Sequence, residues 1–178
     1  NLDKAREYLE KAGGPPAQPL TIDVTNATVW TTIAAVIQAQ LAQIGIDLQV
    51  NVQDSGSFNV LGMESEGERW KDVQLIANRF SMLPDPYYAT IWFTSDQVGI
   101  WNWERFSSPQ FDALHEKALS EQDPEARGAY YREMQDMMEE SGAYRFLTHE
   151  GSPVIFRDDV DPALRPDARP LFKSFKPA

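Results

Sequence analysis

Cysteine is absent from the 178 residues, which removes any disulfide framework and all thiol chemistry, in whatever compartment the chain works. Histidine is nearly absent, with only His115 and His149. A nucleophile–histidine–acid triad or a two-histidine metal centre would have to use these two, and neither has the neighbours it needs. His115 sits beside an inward-facing Leu114 on a helix, and His149 opens a loop. Basic charge is short as well. Sixteen Lys and Arg face 27 Asp and Glu, for a net charge of −11 and a pI near 4.6, which excludes a phosphate-binding nucleic-acid face and disfavours anionic membranes. No apolar run approaches the roughly 20 residues needed to span a bilayer. Neither Gly-x-Gly-x-x-Gly nor a Walker loop occurs; Gly56 and Gly62 stand alone. Acidic pairs such as Glu139-Glu140 and Asp158-Asp159 read as solvated charge rather than as a general acid and base. No enzyme motif, cofactor motif or metal set survives.

The chain opens as Asn1-Leu2-Asp3-Lys4-Ala5-Arg6, polar and helical in character rather than a leader, as in a domain cut from a longer chain. Leu2, Ala5, Leu9 and Ala12 share one face of a first helix, which Gly13-Gly14-Pro15-Pro16 stops. Leu20, Ile22 and Val24 alternate as a strand. Val29, Ile33, Val36, Ile37, Leu41 and Ile44 recur at helical spacing, with Asn26 or Thr28 as cap and Gly45 as stop. Ile46, Leu48, Val50 and Val52 make a second strand. Strand, helix and strand with short connections form a βαβ unit, hence parallel pairing through a right-handed crossover. Phe58 to Met63 suits a short helix, and residues 73–77 a third strand. Ser108-Pro109 and Asp123-Pro124 are two cap-plus-proline helix starts. They predict a helical hairpin striped by Phe111, Leu114 and Ala118 on one arm and by Tyr130, Tyr131, Met134, Met137 and Met138 on the other. A last strand pair is expected over 144–148 and 154–156, then an irregular tail from Asp158. The fold class is α/β.

One stretch resists this scheme. Residues 79–93 read RFSMLPDPYYATIWF, and Pro84 and Pro86 forbid a regular helix through its first half. Phe80, Tyr87, Tyr88, Trp92, Phe93, Trp101 and Trp103 put seven of the twenty aromatic residues (five Trp, six Tyr, nine Phe) between positions 80 and 103. Either the segment packs under its own domain, or it faces a ligand or partner; broken spacing favours the second reading. The stretch leaves the carboxyl end of the third strand, where open α/β sheets bind ligands.

Read in order, several segments together resemble a known family. They are Leu2-Asp3-Lys4-Ala5 with Leu9 and Ala12-Gly13, Ala39-Gln40-Leu41-Ala42-Gln43-Ile44-Gly45-Ile46, and the Pro84-Asp85-Pro86 loop. Asn102 with Ser108-Pro109-Gln110-Phe111-Asp112, Asp123-Pro124-Glu125-Ala126-Arg127 and Tyr131-Arg132-Glu133-Met134-Gln135 follow. The series resembles the C-terminal lobe of the extracytoplasmic solute-binding proteins that serve peptide, dipeptide and nickel ABC importers (family 5), almost from end to end. The resemblance implies a three-layer-type lobe of the periplasmic-binding-protein fold with a C-terminal helical hairpin. Residues 1–157 would form the ligand-binding lobe, and 158–178 a tail returning toward an N-terminal lobe upstream. It further implies a periplasmic or extracytoplasmic location, lipid-anchored where there is no outer membrane.

The implied function is capture of a peptide-like or other small solute between two lobes that close on it, followed by delivery to a membrane ABC permease. Many peptide-binding members carry Trp, then Asp three residues later and Pro four after that, the Asp pairing with the peptide α-amino group. Here Arg79 holds the Trp position and Met82 the Asp position, and a thioether cannot hold an ammonium. An anionic solute is therefore expected. The site residues expected are Arg79, Phe80, Ser81, Met82, Asp85, Tyr87, Trp101 and Trp103. Arg79 either grips an anion or pairs with an acid of its own chain, and Asp85 either faces the site or caps the turn between its prolines. Two alternatives stand beside this: a module docking a protein partner through its aromatic face, and a small hydrolase using His149 or Asp85.

Overall fold

The alternation of Leu20, Ile22 and Val24 folds as the central strand of a small parallel sheet. The structure, a computed structural model, describes residues 1–79, 83–148, 153–165 and 169–178. The chain forms two compact units, residues 1–80 with 99–103, and residues 81–98 with 104–178.

In the first unit α1 (Leu2–Lys11) is capped by Asn1, whose side chain accepts from the Lys4 amide. Strand β1 (Leu20–Thr25), helix α2 (Thr28–Ala42) and strand β2 (Leu48–Gln53) make the expected βαβ unit. β1 pairs in parallel with β2 from Leu20↔Leu48 to Thr25↔Gln53, and with the short β3 (Leu75–Ile76) on its other side, giving the order β2-β1-β3. As the middle strand of a parallel sheet, β1 is covered on both faces, so Ile22, Asp23 and Val24 are all buried. α2 brings Ala34, Trp30, Ile37 and Leu41 against Ile22, Val24 and Leu48. Full burial of an aliphatic side chain such as Leu48 contributes about 1.5–3 kcal/mol, and Leu48→Ala would cost about 2–5 kcal/mol.

Two helix starts differ from expectation, and the third strand shrinks from 73–77 to Leu75–Ile76. Neither Asn26 nor Thr28 caps α2; Ala27 holds the cap position without a side-chain bond. The Asn26 amide donates instead to the Gln53 carbonyl (2.8 Å), which prolongs the β1–β2 ladder by one rung and pushes the helix start past it. Helix α3 (Ser55–Asn59) begins three residues ahead of Phe58, because Asp54 accepts from both the amide and the hydroxyl of Ser57. That turn buries Phe58 completely.

The second unit is built on the hairpin. α4 (Tyr87–Thr90) is a single turn followed by a 3₁₀ turn, Ile91–Phe93. α5 (Pro109–Ser120) is capped by Ser108 and α6 (Pro124–Ser141) by Asp123, each with proline in the first turn; Gly142 ends α6 with φ 72°. Only glycine adopts that left-handed conformation without strain. Phe111, Leu114 and Ala118 of α5 pack on Met134 and Met138 of α6, with Phe93 and Tyr144 completing the core.

Residues 144–148 and 154–156 do not form the expected strand pair. Tyr144 turns into the helical core directly after the Gly142 cap, where its hydroxyl donates to Glu104 Oε2 (3.1 Å). Ile155 is 96% exposed, so the alternating pattern there serves no ladder. The tail pairs with itself, in antiparallel β4 (Val160–Asp161) with β5 (Lys176–Pro177) and in a bridge between Leu164 and Pro170. No helix among the described residues is long and apolar enough to cross a membrane.

Candidate functional site

The expected site residues divide between the two units. Arg79, Trp101 and Trp103 belong to the first; Asp85 and Tyr87 belong to the second. Phe80, Ser81 and Met82 lie outside the described residues, as does His149 of the hydrolase alternative.

In the first unit the chain leaves β3 through Ala77, whose amide donates to the Asp23 carbonyl (3.1 Å). Arg79 follows, exposed, with its backbone N–H on Asn78 Oδ1 (2.7 Å). Trp103 is half-buried. Its indole N–H donates to the Ile100 carbonyl (3.0 Å), its ring meets Phe58 edge-on at 6.0 Å, and it lies directly over Gly62. Its neighbours Ile100 and Trp101 stay exposed, Trp101 to 42%. Between the two tryptophans, Asn102 is wholly buried.

A polar chain that periodicity had hidden runs across the carboxyl end of the sheet. Asp23 is 5% exposed. Its Oδ1 accepts from Gln53 Nε2 (2.5 Å), and Gln53 Oε1 accepts from the guanidinium of exposed Arg69 (2.7 Å). By strand alternation alone Asp23 reads as an outward polar residue. Only its place in the middle of the sheet, covered on both faces, shows that it is internal.

In the second unit Asp85 does what its place between two prolines suggests. Its Oδ1 accepts from the Tyr87 amide (2.9 Å). The same oxygen takes a 2.8 Å bond from Arg127 of α6. Arg127 also donates to the Ala118 carbonyl and the Tyr131 hydroxyl, and lies over the Tyr131 ring at 5.0 Å. The Arg127 bond, seconded by the Tyr87 amide, holds the Asp85 carboxyl below its ordinary pKa, and Asp85 in turn raises Arg127. No sequence signal links positions 85 and 127, which lie 42 residues apart.

Tyr87 stacks on His115 (5.1 Å, 26°) and meets Tyr88 edge-on. His115 is 4% exposed, and its Nδ1 is 2.9 Å from the Thr90 hydroxyl. Burial pushes its pKa down, against the pull of Glu116, Asp96 and Asp112. Part of the aromatic stretch therefore packs within its own unit: Phe93 is buried, Trp92 packs against the same cluster, and Tyr87 stacks on a histidine. The two short helical turns after Pro86 restore the spacing that the prolines interrupt. An open depression of about 480 Å³ lies beside Arg127, lined by Pro86, Leu119, Glu121, Pro124 and Tyr131 among others. None of the expected site residues lines it. Among the described residues, no cluster of three His, Asp or Glu side chains suits a metal ion.

A three-strand parallel sheet with a helical hairpin and an aromatic segment after β3 matches a known class. Residues 1–100 match the family described as bacterial extracellular solute-binding proteins, family 5, middle region. The chain belongs to this family. Its class is that of extracytoplasmic transport binding proteins, not enzymes.

Among curated proteins, the glutathione-binding protein GsiB of Escherichia coli O6:K15:H31 is 28% identical over 143 residues, 76% of this chain and 27% of the relative. GsiB of Pectobacterium atrosepticum is 28% identical over 155 residues, covering 83% and 29%. Among solved structures, the Helicobacter pylori periplasmic binding protein DppA, in complex with the peptide STSA, superposes with a TM-score of 0.66 at 27% identity, over 81% of this chain and 28% of that one. The Bacillus subtilis oligopeptide-binding protein AppA, with a nonapeptide, reaches 0.75 over all of this chain and 38% of its own. At 20% identity it speaks for the fold alone. The chain thus spans between a quarter and three-tenths of the length of the curated relatives it matches.

Proposed function

We propose that the chain is the C-terminal ligand-binding lobe of a longer two-lobed solute-binding protein. Residues 1–157 would be the lobe and 158–178 a tail returning to an N-terminal lobe. The whole protein captures a peptide-like, anionic solute and delivers it to an ABC permease. The observation that carries this reading is the family match over residues 1–100, which includes the sheet, Arg79 and the start of the aromatic stretch. The names of the relatives, glutathione-binding and peptide-bound, support the solute class.

Within the first unit, Arg79 and Trp101 are the proposed solute contacts, and Trp103, braced on Phe58, is the ring behind them. In the second unit Asp85 and Tyr87 are engaged by Arg127 and His115, so their proposed role is to hold the shape of the segment after β3. Phe80, Ser81 and Met82 remain proposed from sequence. A solute that touches two lobes stabilises the closed form by its contacts to both, so the 178 residues alone should bind weakly. Thermal-shift screening of the protein together with its upstream residues, against glutathione and short peptides, tests this. Tight binding to the 178-residue chain alone contradicts the two-lobe reading, and no stabilisation of the longer protein by any of them contradicts the solute class.

The neighbouring exposed pair Ile100 and Trp101 favours a second reading, docking of a protein partner. Sedimentation of the longer protein with and without Trp101→Ala separates the two, because a solute contact leaves the mass unchanged.

A further inference from the structure

The chain of bonds from Asp23 to Arg69 has a direction. A carboxylate only accepts hydrogen bonds, so buried Asp23 Oδ1 requires a donor and fixes the Gln53 amide with Nε2 inward and Oε1 outward. The outward oxygen is an acceptor, and the guanidinium of Arg69 takes it. Gln53 ends β2, so Arg69 is held at the carboxyl edge of the sheet, the edge from which open α/β folds bind ligands.

Several arginines of the chain are matched with acid. Arg6, Arg127, Arg145 and Arg157 each pair with a carboxylate. Among the described residues no carboxylate pairs with Arg69, in a chain of net charge −11. Its one hydrogen bond is to a neutral amide, which orients a guanidinium without cancelling its charge. Four of its five N–H groups remain for a planar anion, the geometry that grips a carboxylate in a bidentate manner.

We propose that Arg69 is an anion anchor at the carboxyl edge of the sheet, taking a carboxylate of the bound solute, with Gln53 as its positioning residue. The inference rests on the solute-binding reading and deepens it. Arg79, expected from sequence, follows β3; Arg69 adds a second cation beside β2, oriented by a buried acid.

The test is native mass spectrometry of the protein with its flanking residues, mixed at neutral pH with equimolar pools of tri- and tetrapeptides. One pool has free C-terminal carboxylates and the other the same sequences amidated. The acids should be retained at least about 10-fold over the amides, the weight of one charge-assisted hydrogen bond. Arg69→Ala should remove most of that preference, Arg79 remaining, and leave amide retention unchanged. Arg69→Lys should restore part of it, and Gln53→Met should weaken it while Arg69 is intact. A preference undiminished by Arg69→Ala, no preference in the parent, or equal loss of acids and amides in Arg69→Ala overturns the anchor while solute binding stands. Retention of neither pool by the parent overturns the solute reading and the anchor with it. Arg69 is exposed, so its variants are expected to fold, and circular dichroism checks that they do.

Discussion

Gly62 offers the sharpest test of how the first unit is packed. A β-carbon built there would lie 2.1 Å from Trp103 Cγ and 2.5 Å from Cδ1 and Cδ2. Ordinary carbon contacts are about 3.5–4.0 Å, so the ring must retreat by roughly 1.5–2 Å in Gly62→Ala. The nearest atom is the ring's stem, and rotating the ring about its own axis does not move it. Trp103 must change χ1 or leave. A tryptophan buries about 150–250 Å², and losing roughly half of that contact costs about 2–3 kcal/mol at 25 cal/mol per Å². The indole bond to the Ile100 carbonyl adds about 1 kcal/mol if it breaks. Against this, Ala in place of Gly restricts the unfolded chain and returns about 0.4–1 kcal/mol. The net expectation is a destabilisation of about 2–3 kcal/mol, or a fall in Tm of about 4–12 °C.

Urea denaturation of the parent, Gly62→Ala, Trp103→Ala and the double variant measures this. The penalty of Gly62→Ala should vanish or reverse in the Trp103→Ala background, because the methyl then has room. An unchanged midpoint for Gly62→Ala, or the same penalty in both backgrounds, would refute the packing of Trp103 on Gly62. The outcome also bears on function. If Trp103 is the ring behind the proposed contacts Arg79 and Trp101, Gly62→Ala should weaken solute binding in the longer protein as well.

Three further outcomes follow from named contacts. His115 is held neutral by burial with its folded pKa below 6.5, so the unfolded chain binds more protons below that pH and stability falls as pH drops from about 6.5 toward the folded value. Asp96, Asp112 and Glu116 pull the other way and soften the slope; His115→Asn should flatten it, and equal slopes by denaturation at pH 7.5, 6.0 and 5.0 would exclude the effect. Asp85 has a lowered folded pKa, so its contribution is present above the ordinary value of 3.8 and lost as pH falls through the folded one. With its side chain 45% exposed, Asp85→Asn should cost only about 0.5–1 kcal/mol at pH 7 and nothing measurable once the parent carboxyl is protonated, and an equal cost at both pH values would contradict it. Asp123 accepts from the Ala126 amide, so Asp123→Ala should cost about 1 kcal/mol and Asp123→Ser should recover most of it, by thermal unfolding.

Much of the fold was legible because its signals are local. Ser108-Pro109 and Asp123-Pro124 start α5 and α6 where capping chemistry puts them, and the period of Met134 and Met138 points them into the core. The β1–α2–β2 unit follows from two periods separated by glycine. The misread elements are those where a distant group overrides the local pattern. The α2 cap went to Ala27 because the Asn26 amide is used by Gln53 of another strand. The expected strand at 144–148 gave way because Tyr144 has a helical core to enter and Glu104 to bond.

The site was less legible for a related reason. An aromatic residue on a proline-rich segment reads the same in sequence whether it braces its own unit or meets a ligand. Contact partners make the difference: Phe93 lies in a core of helices and Tyr87 lies on a histidine, while Trp101 of the same aromatic run keeps 42% of its surface in solvent. Charged residues carry the same ambiguity in reverse. Asp85, which composition leaves free, is tied to Arg127 across 42 residues. Arg69, which an acidic chain would be expected to neutralise, is held by an amide instead. A cation is available for a solute only where its own protein has oriented it without pairing it, and that distinction depends on one hydrogen bond between Gln53 and a buried acid that no spacing rule records.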